Sequence, residues 1–190
     1  MSLHSDINTL AVIDRKLHEL YEASVAAKDH QKSKRTARDR AILLLSFWLS
    51  LDPIETSKLE RHHFFRASSA RMLSFNPPFT GGAIKHGTWP ISSLPPLRWA
   101  CPVAAFEVWQ KVRDDPYETL FPRIDPNGSI RYTPLHPVAI DSIVRMLILE
   151  NSTAAGVDRL SCARLYSNGF SERNPKKKLE RLRHMEMLTY

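Results

Sequence analysis

The sequence predicts a mainly α-helical protein with a small antiparallel β-sheet, an α+β fold. Apolar residues recur at three- and four-residue steps near both ends of the chain, as they do in helices that pack on a core. Two short β-rich runs lie between these regions, next to Pro77-Pro78 and Gly81-Gly82, which break regular structure. The 190 residues are 43% hydrophobic and 25% charged, a composition typical of a globular domain.

The first third of the chain reads as two helices joined by a polar segment. Residues 6–28 carry a periodic apolar face, and Lys28 to Ala37 reads as a basic connector. The stretch from Arg38 to Leu51 is apolar nearly all round, which predicts a helix at the centre of the core. We therefore divide the chain into an N-terminal helix with its basic connector (1–35) and a main domain (36–190).

The central helix is predicted to end at a sharp corner. In Asp52-Pro53-Ile54-Glu55, Asp52 suits an N-cap, Pro53 suits the first helical position, and Glu55 completes a capping box. Such a cap typically contributes about 1 kcal/mol. The corner is therefore predicted to start a second, short helix.

The remaining elements follow in chain order. Short strands are predicted at His63–Ala67 and Met72–Phe75, with a further strand within Ile84–Ile91. Asp125 to Gly128 has the composition of a turn. Further helices are predicted at Pro102–Arg113, Pro137–Glu150, Leu160–Ser167 and Lys176–Leu188.

Charge favours a polyanionic partner. The formal net charge is +7 and the sequence pI is near 9.6. A modest cationic excess is also common on ordinary soluble surfaces, but two basic clusters with aromatic residues between them favour nucleic acid. The candidate DNA-binding residues are Lys32, Lys34, Arg35, Arg38, Arg164, Lys176, Lys177, Lys178, Arg181 and Arg183.

The sequence predicts no cofactor, no metal site and no membrane segment. Cys101 and Cys162 form no metal-ligand spacing, and the adjacent His62 and His63 cannot share one face of a helix or strand. No apolar run approaches about 18 residues, and the start of the chain lacks a signal-peptide pattern. The expected location is cytoplasmic, in the bacterial cytosol or nucleoid if a mobile element encodes the protein.

The order of these elements resembles the catalytic domain of the tyrosine recombinases, the phage-integrase family, over roughly residues 36–184. The resemblance rests on Arg38-Asp39-Arg40-Ala41 before the apolar helix, on Leu51–Leu59 with Glu55 and Leu59 in place, and on Leu120-Phe121-Pro122. It implies double-stranded DNA as the partner, and DNA integration or recombination through a phosphotyrosine intermediate. In such chemistry guanidinium groups stabilise the phosphate and a tyrosine attacks it.

The family's active site maps incompletely onto this chain. The first family arginine falls on Asp52, whose carboxylate would repel a phosphate, and the histidine of the His-x-x-Arg motif falls on Ser161. By family position the candidate catalytic residues are Arg164, Lys85, His184 and Tyr190, although Tyr190 follows His184 sooner than the family nucleophile does. The resemblance therefore implies a degenerate site.

Three functional hypotheses follow. The first is a DNA-binding protein of the tyrosine recombinase fold that is defective in strand cleavage and can form a homo-oligomer on DNA. The second is an active site-specific recombinase, in which Tyr190 forms a covalent adduct with DNA. The third is a helical protein-interaction module, motivated by the apolar face of the first helix, which includes Ile7, Leu10 and Leu17.

Overall fold

The computed structural model describes residues 3–66, 72–76, 78, 89–92 and 99–152, and everything below concerns this part of the chain. It is mainly helical with two small antiparallel sheets, which confirms the predicted α+β class. The helices are α1 (Leu3–Ala26), α2 (His30–Leu49), α3 (Pro53–Ser57), α4 (Pro102–Val112) and α5 (Pro137–Ser152), with a 3₁₀ turn at Arg61–His63. The strands are β1 (Phe64–Arg66), β2 (Met72–Phe75), β3 (Trp89–Ser92), β4 (Pro122–Ile124) and β5 (Ile130–Pro134).

Helix α2 lies at the centre of the core, as its apolar composition predicts. Every residue from Ala41 to Leu49 is buried, and the helix contacts α1, α3, α4 and α5. The indole N–H of Trp48 donates a hydrogen bond to the carbonyl of Ala100 at 2.9 Å. The ring is therefore buried without leaving its polar group unpaired.

The predicted basic connector at Lys28 to Ala37 is wrong. Helix α2 already begins at His30, because the Asp29 side chain caps it by accepting from the Lys32 amide at 2.9 Å. Only residues 27–29 separate α1 from α2, with Lys28 in the left-handed region at φ 56°. The boundary drawn at 35/36 falls inside α2.

The corner after α2 matches its prediction closely. Ser50 adopts the left-handed conformation (φ 56°, ψ 45°), and the Leu51 amide donates to the carbonyl of Ser46 at 3.0 Å, which closes the helix end. The Asp52 carboxylate then accepts from the Glu55 amide at 2.7 Å, while Glu55 accepts from the Asp52 amide at 3.0 Å. The capping box is therefore complete, with Pro53 at the first helical position.

The predicted sheet forms with strand order β1-β2-β3, and both pairs are antiparallel. Phe64 and Phe75 are register partners, and their rings stack at 4.8 Å. The second sheet, a β4-β5 hairpin, was not predicted, although its turn was: the Gly128 amide donates to the Asp125 carbonyl at 3.0 Å. Short three- and five-residue strands carry too little alternation to be recognised.

Helices α4 and α5 appear where the sequence predicts them, within two residues at their ends. The predicted strand residues 84–88 and the helices at Leu160–Ser167 and Lys176–Leu188 lie outside the described residues. Among the described helices, none combines the length and apolarity needed to cross a membrane.

Candidate nucleic-acid interface

The N-terminal end of α2 meets the β4-β5 hairpin. A Cβ at Gly128, which has φ +82°, would lie 3.3 Å from the Cα of Gln31, so the turn approaches the helix backbone closely. One turn further along α2, the Arg35 guanidinium donates to the carbonyl of Ile124 at 3.2 Å. These two contacts fix the hairpin against the first turns of α2.

The loop after α4 forms the third side of this region. The Lys34 ammonium is 2.9 Å from an Asp114 carboxylate oxygen, which ties the loop to α2. This hydrogen bond holds the pKa of Asp114 below its ordinary value, despite some opposing desolvation. A cavity of about 390 Å³ opens between the three segments, and its lining includes His30, Lys34, Asp114, Tyr117 and Asn127.

A buried arginine holds this loop in shape. The guanidinium of Arg113 pairs with Asp115, and both side chains are almost fully buried. The same guanidinium donates to the carbonyls of Leu120 and Tyr117, each at 3.0 Å, while the Tyr117 amide donates to Asp115 at 3.0 Å. Since every one of these partners is internal, the loop presents Tyr117 from a fixed backbone.

The surface beside the cavity carries exposed cations and an aromatic side chain. Arg123 and Arg131 both face the single carboxylate of Asp125, which leaves one positive charge in excess at the hairpin. Lys32 on α2 is also exposed. Tyr132 is one of the most exposed large side chains of the described residues, and its ring meets that of Tyr117 edge-on at 5.5 Å. We call Lys32, Arg123, Arg131 and Tyr132 the hairpin face.

The N-terminal basic cluster is not a uniform cationic surface. Lys32 is exposed, but Lys34 pairs with Asp114 and Arg35 donates to a backbone carbonyl. Arg38 is buried and directs two guanidinium nitrogens at one Asp39 oxygen, at 2.8 and 2.9 Å. Most of these cations therefore already have partners inside the protein.

Asp39 illustrates the opposing forces on such a pair. Burial raises the pKa of its carboxyl above the ordinary value, and the neighbouring Arg38 guanidinium opposes that rise. The desolvation cost explains why Asp39 and Arg38 lie together, since a lone charge in this position would be unfavourable.

The other predicted site residues lie outside the described residues. They are Lys85, Ser161, Arg164, Lys176, Lys177, Lys178, Arg181, Arg183, His184 and Tyr190. Asp52 is among the described residues, and its carboxylate is engaged in the capping box.

Sequence reasoning missed two features of this surface. Arg123, Arg131 and Tyr132 were not singled out, because they come together only through the unpredicted hairpin. The local signal in the sequence is a charged residue between two apolar ones, at Pro122-Arg123-Ile124. His62 and His63 were excluded as neighbouring ligands, but the 3₁₀ turn brings their ring centroids to 4.3 Å. The premise that adjacent histidines must diverge is wrong here, since it holds for helices and strands only.

No protein-family model matches the chain, and comparison with curated proteins found no match. The likeness to tyrosine recombinases therefore remains a prediction from residue order.

Proposed function

We propose that the protein binds double-stranded DNA and has the fold of a tyrosine recombinase catalytic domain without its strand-cleaving activity. The observation that carries the binding proposal is the hairpin face: Arg123 and Arg131 are exposed around the single carboxylate of Asp125, and Tyr132 of the same hairpin is exposed. Lys32 adds an exposed cation on α2, the helix that the hairpin contacts. Guanidinium groups bind phosphate oxygens, and an exposed aromatic ring offers a surface against sugar or base.

The charge distribution of the whole chain supports the same partner. Residues 153–190 contain eight Lys or Arg residues and four Asp or Glu residues, which contributes over half of the net charge of +7. Binding would come mainly from neutralised phosphates, so it would depend little on base sequence and strongly on salt.

Loss of cleavage is proposed from the corner at Asp52. Its carboxylate accepts the Glu55 amide at 2.7 Å and stands where the family requires a phosphate-binding arginine. A negative charge at this point opposes the negative charge on the phosphate oxygens in the transition state. The side chain therefore serves the helix start, and linkage to DNA integration or recombination would be through binding alone.

Fluorescence anisotropy with a labelled duplex tests the binding proposal. We expect affinity to fall steeply between low and physiological salt, with a linear plot of log K against log salt concentration. An absence of binding at low salt, or an affinity that ignores salt, contradicts the proposal and favours a protein-interaction module.

Exposed arginines elsewhere on the molecule provide a matched control. Arg123 and Arg131 have 67% and 63% exposed side chains, and Arg15 and Arg145, paired with Glu19 and Asp141, have 64% and 62%. The double substitution Arg123→Ala/Arg131→Ala should weaken binding and lower the salt slope by about one to two. Arg15→Ala/Arg145→Ala removes the same charge, so an equal loss would show that the hairpin face is not special.

A nicked suicide substrate tests the absence of cleavage. We expect no covalent protein–DNA adduct in a denaturing gel. An adduct that disappears in Tyr190→Phe would instead establish an active recombinase with Tyr190 as its nucleophile.

A further inference from the structure

Two histidines and a glutamate meet at the turn between α3 and β1. Glu60, His62 and His63 each offer a ligand atom, and these atoms lie within 4.8 Å of one another. The His62 Nδ1 atom is 3.2 Å from a Glu60 carboxylate oxygen. The two imidazole rings lie with their centroids 4.3 Å apart, although the His62 side chain is exposed and His63 is buried.

The segment from Glu118 to Leu120 pairs with this turn through backbone hydrogen bonds. The Arg61 amide donates to the Glu118 carbonyl at 2.7 Å, and the Leu120 amide donates to the Leu59 carbonyl at 2.8 Å. This pairing brings the Glu118 carboxylate to 3.8 Å from His62 Nδ1. The imidazole of His62 therefore stands between two carboxylates, in a local field that attracts a cation.

We propose that Glu60, His62 and His63 bind a divalent transition-metal ion of the Zn²⁺ type. Two imidazoles and a carboxylate form a donor set that Zn²⁺ accepts, and with metal–ligand bonds of about 2 Å the donor atoms must lie about 3–4 Å apart. The three ligand atoms, now within 4.8 Å of one another, need to move only slightly closer together. The exposed side chain of His62 is free to make this movement, and the Glu118 carboxylate is close enough to take the fourth position.

Binding exchanges one hydrogen bond for a metal bond. The Glu60 amide donates to His63 Nδ1 at 2.9 Å, so the neutral ring carries its proton on Nε2 and has no second lone pair to offer. Coordination by the neutral ring of His63 requires this bond to break. Either Nδ1 binds the ion and Nε2 keeps its proton, or Nε2 binds the ion and the proton moves to Nδ1, which then no longer accepts. The Glu60 amide thus becomes a reporter of the bound ion.

This metal site is independent of the DNA-binding proposal. The role of the bound ion would be structural. The ion would join residues 60–63 to Glu118, two segments already paired through their backbones. An ion that binds the folded chain raises its melting temperature in proportion to the logarithm of the ion concentration.

Calorimetric titration of the full chelator-stripped chain with ZnCl₂ tests the site. We expect saturable binding that weakens at least about tenfold in His62→Ala, an exposed position whose substitution leaves the core intact. His136→Ala is the matched control, since His136 is exposed as His62 is, and its ring accepts a backbone amide, from Val138 at 3.3 Å, as that of His63 does. Its affinity should equal that of the unmodified chain.

Amide NMR spectra of the same titration locate the ion. The Glu60 amide resonance should shift as zinc saturates, because its hydrogen bond to His63 is lost. The proposal is overturned if the unmodified chain shows no saturable binding, if His62→Ala binds equally well, or if the Glu60 amide does not respond at saturation.

Discussion

The two ends of α2 differ in how their side chains find partners. At the C-terminal end, the cap of α2 and the capping box of α3 join residues at most five positions apart. The hydroxyls of Ser46 and Thr56, ten positions apart, bond across the same corner. Toward the N-terminal end, Lys34 and Arg35 bind partners 80 and 89 positions away in the sequence. Arg40, at mid-helix, binds Asp14, 26 positions away, whereas Arg38 pairs with its neighbour Asp39.

This difference explains why one end was predictable and the other was not. A capping box has a fixed spacing, so Asp52 and Glu55 can be recognised without any knowledge of the fold. A run of Lys and Arg has no such spacing, and whether each cation faces solvent or an acid depends on which segments pack beside it. A basic cluster in sequence is therefore not yet a basic surface.

The largest expected effect belongs to a buried long-range pair, Arg40 at the middle of α2 and Asp14 on α1. The Arg40 Nε atom lies 2.5 Å from Asp14, both side chains are buried, and Asp14 also accepts the Ala100 amide at 2.8 Å. Asp14→Ala leaves a buried cation and an amide without a partner, so it should lower the free energy of unfolding by about 3–5 kcal/mol. Urea denaturation measures this loss.

Arg15 is the neighbouring control, since it forms an exposed pair with Glu19 on the same helix. Arg15→Ala should change the free energy of unfolding by less than about 0.5 kcal/mol. Losses of similar size in Asp14→Ala and Arg15→Ala would contradict the distinction between buried long-range pairs and exposed local ones.

Most of the fold could be predicted from the periodicity of apolar residues and from the residues typical of helix caps and turns. The apolar stretch of α2, the capping box at Asp52 and the turn at Asp125 each carry a local signal with a physical cause, and each was predicted. The failures have causes too. Helix α2 extends back to His30 because Asp29 caps it, whereas the sequence reading gave more weight to the polar composition of residues 28–37.

Less of the candidate site could be predicted. Lys32 is one of the predicted DNA-binding residues, and it is exposed. The hairpin face also includes Arg123, Arg131 and Tyr132, whose positions depend on the pairing of β4 with β5. The close approach of Gly128 to Gln31 places that hairpin beside α2. The local sequence of neither segment predicts this contact. Long-range packing decides the surface, and only the completed fold reveals it.

A smaller effect is expected at the corner. Asp52→Ala removes the acceptor for the Glu55 amide and should lower the free energy of unfolding by about 1 kcal/mol, whereas Asp52→Asn should cost much less because asparagine caps nearly as well. Thermal or urea unfolding of both variants checks the order. Equal losses would mean that the charge of Asp52, rather than its role as a hydrogen-bond acceptor, stabilises the corner.

The smallest effect belongs to Lys34 and Asp114, a long-range pair that is exposed on its acidic side. A double-mutant cycle with Lys34→Ala and Asp114→Ala should give a coupling of about 0.2–1 kcal/mol at neutral pH and less in high salt. Lys34 lowers the folded-state pKa of Asp114, so the coupling is present above the ordinary carboxyl pKa and disappears as the pH falls through the lowered value. A coupling as large as that of the buried Arg40–Asp14 pair would show that sequence separation, and not burial, sets the strength of these contacts.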